Sequence, residues 1–320
     1  MSVETAGKRN RLRGGPVVPV LAPLWLGSEA PGVANGPATL DRALRTHLAG
    51  WGPDGIGPRL RPSIRLDGPE ETPAAGGDAH FKHLAAVSSF CRTLATTVTE
   101  TIQAGALALV IGGDHAISIG SIPGARAALG PDARLGVIWL DSHADVNNAE
   151  TTPSGHIHGM PLGIALGRER HPAFHITGPP PWIREEDVTL IGIRLLDPGE
   201  RSYLRASGVR VHPVEDVDAR GMATVVRETV EAMVASGVDA VHISFDLDVL
   251  DPLAMTAVNT PVPGGVTVSA CAAALRHLLD ARLPVISADI AELDPTHDQE
   301  YRGVLTAAYL TGVLLGATTL

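Results

Sequence analysis

Short apolar runs rich in β-branched residues alternate along this chain with segments of helical periodicity. The runs that predict strands are 17–21, 106–111, 135–140, 188–193, 209–213, 240–245 and 285–290. The clearest helical patterns cover 81–103, 222–236, 268–281 and 301–315. Because several of the runs are apolar on both faces, they predict a parallel sheet that is covered by helices on both sides. The expected fold class is α/β.

The chain carries no internal repeat and no convincing linker. Residues 50–77 are rich in Gly, Pro and charged side chains, and this composition predicts a surface excursion. We therefore expect one domain over residues 1–320, with residues 1–15 flexible.

Composition limits the partners and the compartment. The hydrophobic fraction of 44% supports a substantial core, and the net charge of −10 is spread along the chain, which argues against a nucleic-acid surface. Cys91 and Cys271 are far apart and fit buried thiols in a reducing compartment. No apolar stretch reaches the ~20 residues of a membrane helix. The expected location is the cytoplasm.

Three polar segments follow predicted strands and offer metal ligands. After the run 135–140 come Asp141, His143 and Asp145 at positions i, i+2 and i+4, so on an extended backbone their side chains would point the same way. Asp246 and Asp248 follow the run 240–243, and His115 follows the Gly112–Gly113 pair. In parallel sheets such strand ends meet at one edge, so we expect the six side chains to converge.

Six oxygen and nitrogen ligands exceed what one Mg²⁺ or one tetrahedral Zn²⁺ requires. Two ions bridged by shared carboxylates would use them all, and a carboxylate-rich site with one histidine per ion suits Mn²⁺. Two such ions can hold a bridging water as hydroxide, which is the expected nucleophile. Any one segment could instead be a polar strand end with a helix-capping Asp. Three complementary segments favour the metal interpretation.

Taken together, these motifs resemble the arginase branch of the ureohydrolase family over roughly two thirds of the chain. The matching segments are IGGDHAISIGS (111–121), WLDSHADVNNAETTPSGHIHGMPLG (139–163), IGIRLLDPGE (191–200), SFDLDVLDP (244–252), NTPVPGG (259–265) and ADIAELDP (288–295). The resemblance implies a three-layer α/β/α sandwich around an eight-stranded, mostly parallel sheet. It also implies two Mn²⁺ per subunit, hydrolysis of a small guanidino substrate, and a homo-oligomer, either a trimer or a hexamer.

The resemblance also assigns roles to individual residues. All six ligand candidates would hold the two ions, and Asp145 would in addition take a proton from the bridging water. His158 would shuttle a proton to the leaving amine, and Glu292 would hold the guanidinium group against the metals. Thr260 would contact this end of the substrate or a nearby carboxylate.

The far end of the substrate decides its identity. By the same resemblance, Asn147 and Ser154 would contact an α-carboxylate, while Asp197 and Glu200 would reach an α-amino group. This favours L-arginine, with L-ornithine and urea as products. The chain departs from the family pattern at His156, which stands where arginases have a neutral amide, and at Leu195, where they commonly carry an acid. His156 could donate a hydrogen bond to a carboxylate or reshape the pocket.

Three alternatives remain at this stage. One is hydrolysis of another guanidino compound such as agmatine, guanidinobutyrate or a hydroxylated arginine. A second is deacetylation with a single Zn²⁺, for which Tyr203, Tyr301 and Tyr309 lie in no suitable motif. A third is a binding protein on an inactive enzyme scaffold, which would be expected to have lost a ligand.

Overall fold

The computed structural model describes residues 12, 15–49, 59–69, 80–280 and 282–317. Its strands are β1 (Pro16–Ala22), β2 (Arg59–Leu60), β3 (Ile64–Arg65), β4 (Leu107–Gly112), β5 (Leu135–Leu140), β6 (Val188–Ile193), β7 (Arg210–Pro213), β8 (Ala240–Asp246) and β9 (Val285–Ala291). Its α-helices are α1 (Gly36–Ala49), α2 (Leu84–Gln103), α3 (Ser118–Ala127), α4 (Pro161–Ala165), α5 (Pro198–Ala206), α6 (Val214–Arg220), α7 (Met222–Ala235), α8 (Val268–Asp280) and α9 (Arg302–Leu314). All seven predicted strands are confirmed, with ends that shift by at most one residue.

The strands form one sheet, in which eight of them lie side by side in the order β2-β1-β4-β9-β8-β5-β6-β7. The two-residue β3 also pairs with β1, beside β2, and every strand pairing in the described chain is parallel. This confirms the expected sheet.

The segment 50–77, predicted as a surface excursion, contains two short strands in its described part. Residues 59–60 and 64–65 add a short, interrupted edge strand along β1. Two-residue strands among Pro, Gly and Arg give no alternating pattern, so these strands could not be predicted from the sequence. The rest of that prediction, residues 50–58 and 70–77, and most of the predicted flexible stretch 1–15 lie outside the described residues.

Apolar side chains form one core on each face of the sheet. One core packs α1, α7, α8 and α9 against β4 and β8, and the other packs α2, α3 and α4 against the opposite face. Strands β4, β5, β6, β8 and β9 are buried along their whole length. This is the three-layer α/β/α arrangement, and it explains why these runs are apolar on both faces.

Two helices begin later than their hydrophobic pattern predicts. Helix α2 was expected from Phe81 but begins at Leu84, because His83 adopts a left-handed backbone with φ 54°. Helix α9 begins at Arg302, after Tyr301 with φ 64°. A left-handed residue cannot continue an α-helix, so residues 81–83 lie outside α2. No helix in the described ranges is long and apolar enough to cross a membrane.

Candidate active site

The carboxyl ends of four neighbouring strands meet at one edge of the sheet. In the order β4, β9, β8, β5 these ends are followed by His115, Glu292, the pair Asp246 and Asp248, and the segment 141–145. The six predicted ligands do come together there. Two groups of three have ligand atoms within 4.8 Å of one another: His115, Asp141 and Asp246, and Asp141, His143 and Asp248.

The ligands converge through turns rather than along extended strands. Strand β5 ends at Leu140, residues 141–143 form a bend, and Asp145 has a left-handed backbone with φ 51°. The expectation that Asp141, His143 and Asp145 project from one extended strand is therefore wrong in its geometry, although the convergence it predicted is present. Backbone strain of this kind persists where the surrounding structure fixes it, often at functional sites.

The approach of His115 depends on a close backbone contact. A Cβ on Gly113 would lie 1.8 Å from the carbonyl oxygen of Leu24, so only glycine fits at this turn. The His115 ring stacks on Trp139 with ring centroids 4.2 Å apart. Its Nε2 lies 2.8 Å from Ser244 Oγ, which leaves Nδ1 as the nitrogen that faces the carboxylates.

The surroundings of His115 Nδ1 fit a metal ion. This buried atom has no hydrogen-bond partner among the described residues, yet it lies 3.1 Å from Asp141 Oδ2, 3.2 Å from Asp145 Oδ2 and 3.1 Å from Asp246 Oδ2. One imidazole proton cannot satisfy three carboxylate oxygens, and buried carboxylates this close repel each other. A cation among them would satisfy all four atoms.

Backbone amides orient the carboxylates. Asp141 Oδ1 accepts the His143 N–H at 2.6 Å, Asp246 Oδ1 accepts the Asp248 N–H at 2.8 Å, and Asp248 Oδ1 accepts the Ser142 N–H at 3.1 Å. In Asp246 and Asp248 the other oxygen faces the imidazoles of His115 and His143, at 3.1 and 3.0 Å. Each of these two groups thus keeps one oxygen directed toward the proposed metal positions, as ligating carboxylates do.

Burial and mutual repulsion shift the pKa values of these acids. Burial, followed by the charge of Asp141, raises the pKa of Asp145 to about 6. Burial and the charges of Asp248 and Asp141 raise the pKa of Asp246 well above its usual range. Burial lowers the pKa of His143, but the charges of Asp248 and Asp141 and the hydrogen bonds to both together outweigh it and raise the value to about 12. Such opposed shifts in one cleft are typical of functional sites.

Glu292 and His158 lie together beside the cluster. Glu292 has a left-handed backbone with φ 65°, and its Oε1 accepts the His115 N–H at 3.0 Å and lies 3.1 Å from His158 Nδ1. Its other oxygen, Oε2, is buried without a hydrogen-bond partner among the described residues. Burial lowers the pKa of His158, but the hydrogen bond to Glu292 and the charges of Glu292, Asp114 and Asp145 together outweigh it and raise the value to about 9.

A cavity of about 150 Å³ opens above this cluster. The lining contains all six candidates for substrate contact, both remaining catalytic candidates and four of the six ligand candidates. These residues are Asn147, Ser154, His156, Asp197, Glu200 and Thr260, then His158 and Glu292, and then His115, His143, Asp145 and Asp246. Asp141 and Asp248 lie beneath it, fully buried. Leu195 is exposed.

Several of the lining side chains already have partners. Asn147 Nδ2 donates to Asp197 Oδ2 at 2.9 Å, and Thr260 Oγ1 donates to Asp248 Oδ2 at 3.2 Å. Glu200 accepts the backbone N–H groups of Val146 at 3.1 Å and Asp197 at 3.0 Å. Burial raises its pKa to about 7. Thr260 therefore contacts a carboxylate, which is one of the two contacts expected for it.

Sequence reasoning missed several residues around the site. Asp289, buried on β9, accepts the Ser244 hydroxyl at 2.7 Å, and Ser244 in turn contacts His115. Glu29 and Lys82 lie beside His156 at the mouth of the cavity. Asp289 gave no signal within its apolar strand. Glu29 and Lys82 belong to segments distant in the chain from the motifs.

The family model for the arginase family matches residues 17–316. The chain belongs to the arginase family. It is an arginase-type ureohydrolase. The arginase of Bacillus caldovelox is 42% identical over 241 residues, which cover 75% of this chain and 79% of that protein.

Solved arginase structures agree with the family assignment. The native arginase structure from Bacillus caldovelox superposes with a TM-score of 0.87 at 36% identity, over 95% of this chain and 99% of that one. An Entamoeba histolytica arginase in complex with L-ornithine gives a TM-score of 0.84 at 28% identity, over 94% and 99%. The family shares the fold seen here.

Proposed function

We propose that this chain hydrolyses L-arginine to L-ornithine and urea in a site that holds two Mn²⁺ ions per subunit. Relatives called arginases, 35–42% identical, support arginine as the substrate. The observation that carries the proposal is the unpartnered Oε2 of Glu292, buried in the lining of a cavity whose floor is the His and Asp cluster. A guanidinium group supplies the N–H donors that this oxygen lacks.

The six ligand candidates would hold the metal pair. Asp141 belongs to both groups of three, so it is the bridging carboxylate we propose, and each group contains one histidine. Hard oxygen ligands with imidazole and no thiol favour Mn²⁺. The ions, when bound, would supply a water molecule of strongly increased nucleophilicity for attack on the guanidinium carbon.

The remaining steps belong to side chains of this chain. Glu292 would orient the planar guanidinium through Oε2 while His115 N–H and His158 hold its Oε1. Asp145 would accept a proton from the attacking water. His158, whose Nδ1 is engaged by Glu292, would pass a proton to the leaving amine through Nε2.

The cavity wall would select the amino-acid part of the substrate. Asp197 and Glu200 present negative charge for an α-amino group, and Asn147, Ser154 and His156 present hydrogen-bonding groups for an α-carboxylate. We also propose that the protein is cytoplasmic, that the chain forms a single domain, and that it assembles into a trimer or a hexamer. Light scattering would test the assembly.

A substrate panel tests the proposal. The Mn²⁺-loaded enzyme is assayed with L-arginine, agmatine and guanidinobutyrate, with urea release as the readout. We expect the highest kcat/KM for arginine. Arginine as the poorest of the three would overturn the choice of substrate, because His156 would then have reshaped the pocket.

Metal analysis provides an independent readout. Two Mn²⁺ per chain after loading and desalting would support the binuclear site. One tightly held Zn²⁺ per chain would favour a deacetylase-type site. Silence with every guanidino compound, despite two bound ions, would point to an inactive scaffold.

A further inference from the structure

The acidic side chains that line the cavity match the cationic groups of an amino-acid substrate but not its carboxylate. The acids that line it are Asp145, Asp197, Glu200, Asp246 and Glu292, and no described lining residue is a lysine or an arginine. These acids suit a guanidinium and an ammonium group. Asp145 and Asp246 would be compensated by the proposed metals and Glu292 by the guanidinium group, so Asp197 and Glu200 are the charges that a substrate carboxylate meets, and a cation at the mouth would offset them.

Lys82 places a cation at the mouth. Its Nζ lies 2.8 Å from Nε2 of His156, which lines the cavity, and 2.7 Å from Oε2 of Glu29. Its side chain is 41% exposed, so it lies at the border between the cavity and solvent. An ammonium group has three N–H donors, and these two contacts use two of them. One donor remains for a ligand.

The residue type is unusual for this chain. Of its 25 lysines and arginines, only Lys8 and Lys82 are lysines. A lysine ammonium is a compact point charge with rotatable donors, whereas arginine presents a wide planar fork. The space between Glu29 and His156 suits the compact group.

Glu29 holds the ammonium group in place. Its two oxygens contact Lys82 at 2.7 Å, His156 at 2.9 Å and His83 at 3.1 Å. Glu29 also has a left-handed backbone with φ 58°, a conformation that persists only where contacts fix it.

Backbone hydrogen bonds join the three segments at the mouth. The Lys82 N–H donates to the Gly155 carbonyl at 2.9 Å, and the His158 N–H donates to the Gly27 carbonyl at 3.2 Å. The segments that carry Glu29, Lys82 and His156 are thus attached to one another. The ammonium position is built into the fold of the rim.

His156 takes part in the same contacts. Its Nε2 lies 2.8 Å from Lys82 Nζ and 2.9 Å from Glu29 Oε2, so the three side chains form one cluster at the mouth. Burial lowers the pKa of His156, and the charges of Lys82 and His158 lower it further, against the opposing effect of Glu29.

We propose that Lys82, positioned by Glu29, is a specificity-determining residue that binds the carboxylate end of a guanidino amino acid together with His156. The inference rests on the proposed function, and it names the group that separates arginine from decarboxylated substrates. Hydrogen bonds to charged groups have the strength to change affinity by about 10- to 100-fold.

The test compares Lys82→Met, Lys82→Arg and Glu29→Gln with the parent enzyme, all loaded with Mn²⁺. For Lys82→Met we expect kcat/KM for L-arginine to fall about 10- to 100-fold, mainly through KM, while agmatine changes by less than about twofold. Lys82→Arg keeps the positive charge, so its kcat/KM for L-arginine should lie between those of the parent enzyme and Lys82→Met. Glu29→Gln should give a smaller loss of the same selective kind.

Binding measurements give a readout without turnover. Calorimetry should show that Lys82→Met weakens L-ornithine binding about 10- to 100-fold and leaves putrescine, which lacks the carboxylate, within about twofold. The matched control is Arg227→Met, which removes one positive charge from α7, where Arg227 Nη1 pairs with Glu231 Oε1 at 3.0 Å. It should alter neither ratio.

Equal losses for arginine and agmatine, or no loss for either, would overturn the assignment of Lys82. The outcome for the proposed function is separate. If arginine is the poorest of the three substrates for the parent enzyme, arginine is the wrong substrate, and guanidinobutyrate then tests Lys82. A selective loss for guanidinobutyrate over agmatine supports the rim site, and equal effects overturn it.

Discussion

Nδ1 of His158 lies 3.1 Å from Oε1 of Glu292, the same oxygen that accepts the His115 N–H at 3.0 Å. The glutamate thereby connects the first turn after β4 with the loop that carries His158. Burial lowers the pKa of His158, but this hydrogen bond and the charges of Glu292, Asp114 and Asp145 together raise it to about 9, which favours the protonated form that a proton donor needs.

Replacement of this imidazole tests its role in proton transfer. His158→Asn should retain the bound metal and slow the chemical step by ~10²- to 10⁴-fold, the usual contribution of a general acid or base. Single-turnover kinetics with metal analysis on the same sample would measure both. An unchanged kcat would assign the proton to another group.

Loss of a ligand tests the metal pair. Asp141→Ala should lose both Mn²⁺ ions and nearly all turnover, because Asp141 belongs to both groups, whereas Asp248→Ala should affect one position more than the other. Metal content by atomic emission gives the measurement. Exposed Asp132 offers the control, since Asp132→Ala removes a carboxylate far from the cluster. Full metal retention in Asp141→Ala would remove this residue from the site.

The buried Asp289 should act on the metal through Ser244 and His115. Its Oδ1 accepts the Ser244 hydroxyl at 2.7 Å, and its Oδ2 lies 3.1 Å from His242 Nε2. Groups that orient a ligating histidine typically change metal affinity 10- to 100-fold, so Asp289→Asn should weaken Mn²⁺ binding by about that factor.

Competition with a metal-sensitive dye would measure this affinity. Ser287→Ala is the matched control, because Ser287 contacts His242 Nδ1 on the side away from Asp289. We expect it to bind Mn²⁺ like the parent enzyme. Equal affinities for all three proteins would show that Asp289 serves the core alone.

Glu29 gives a prediction for stability against pH. Its hydrogen bonds to Lys82 and His156 lower its pKa from 4.5 to about 2 in the folded state. A lowered pKa means that the stabilisation is fully present above pH 4.5 and is lost as the pH falls toward 2. Because the side chain is 40% exposed, the effect should not exceed about 1 kcal/mol.

Urea unfolding of the parent protein and Glu29→Gln at pH 6, 4 and 3 would test this prediction. The difference in the free energy of unfolding should be largest at pH 6 and should shrink at the two lower values. A difference that does not depend on pH would mean that the carboxylate charge is not responsible.

Much of the fold and the ligand set could be predicted from local patterns. The strands that position the site are buried on both faces, so their apolar runs are continuous and easy to recognise, and each ligand lies within five residues after the end of such a run. The turn geometry at Asp145 could not be predicted in this way, because a left-handed aspartate has no sequence signature.

The rim of the cavity escaped sequence reasoning for a different reason. Glu29, Lys82 and His156 come from three separate segments, and their contacts depend on where α2 begins. The hydrophobic pattern extends that helix back to Phe81, but the left-handed backbone of His83 makes it begin at Leu84. Lys82 therefore lies outside the helix, and its backbone N–H bonds to the Gly155 carbonyl. Only the tertiary structure brings these side chains together.

The position of β9 has a consequence for how the enzyme is made. Among the described strands it comes last in chain order, yet it lies between β4 and β8 at the middle of the sheet. A nascent chain on the ribosome can therefore have all six ligand candidates synthesised while the position between their strands is still vacant. These side chains can converge only after β9 has been inserted between its neighbours, so the order of synthesis places assembly of the site after the last described strand.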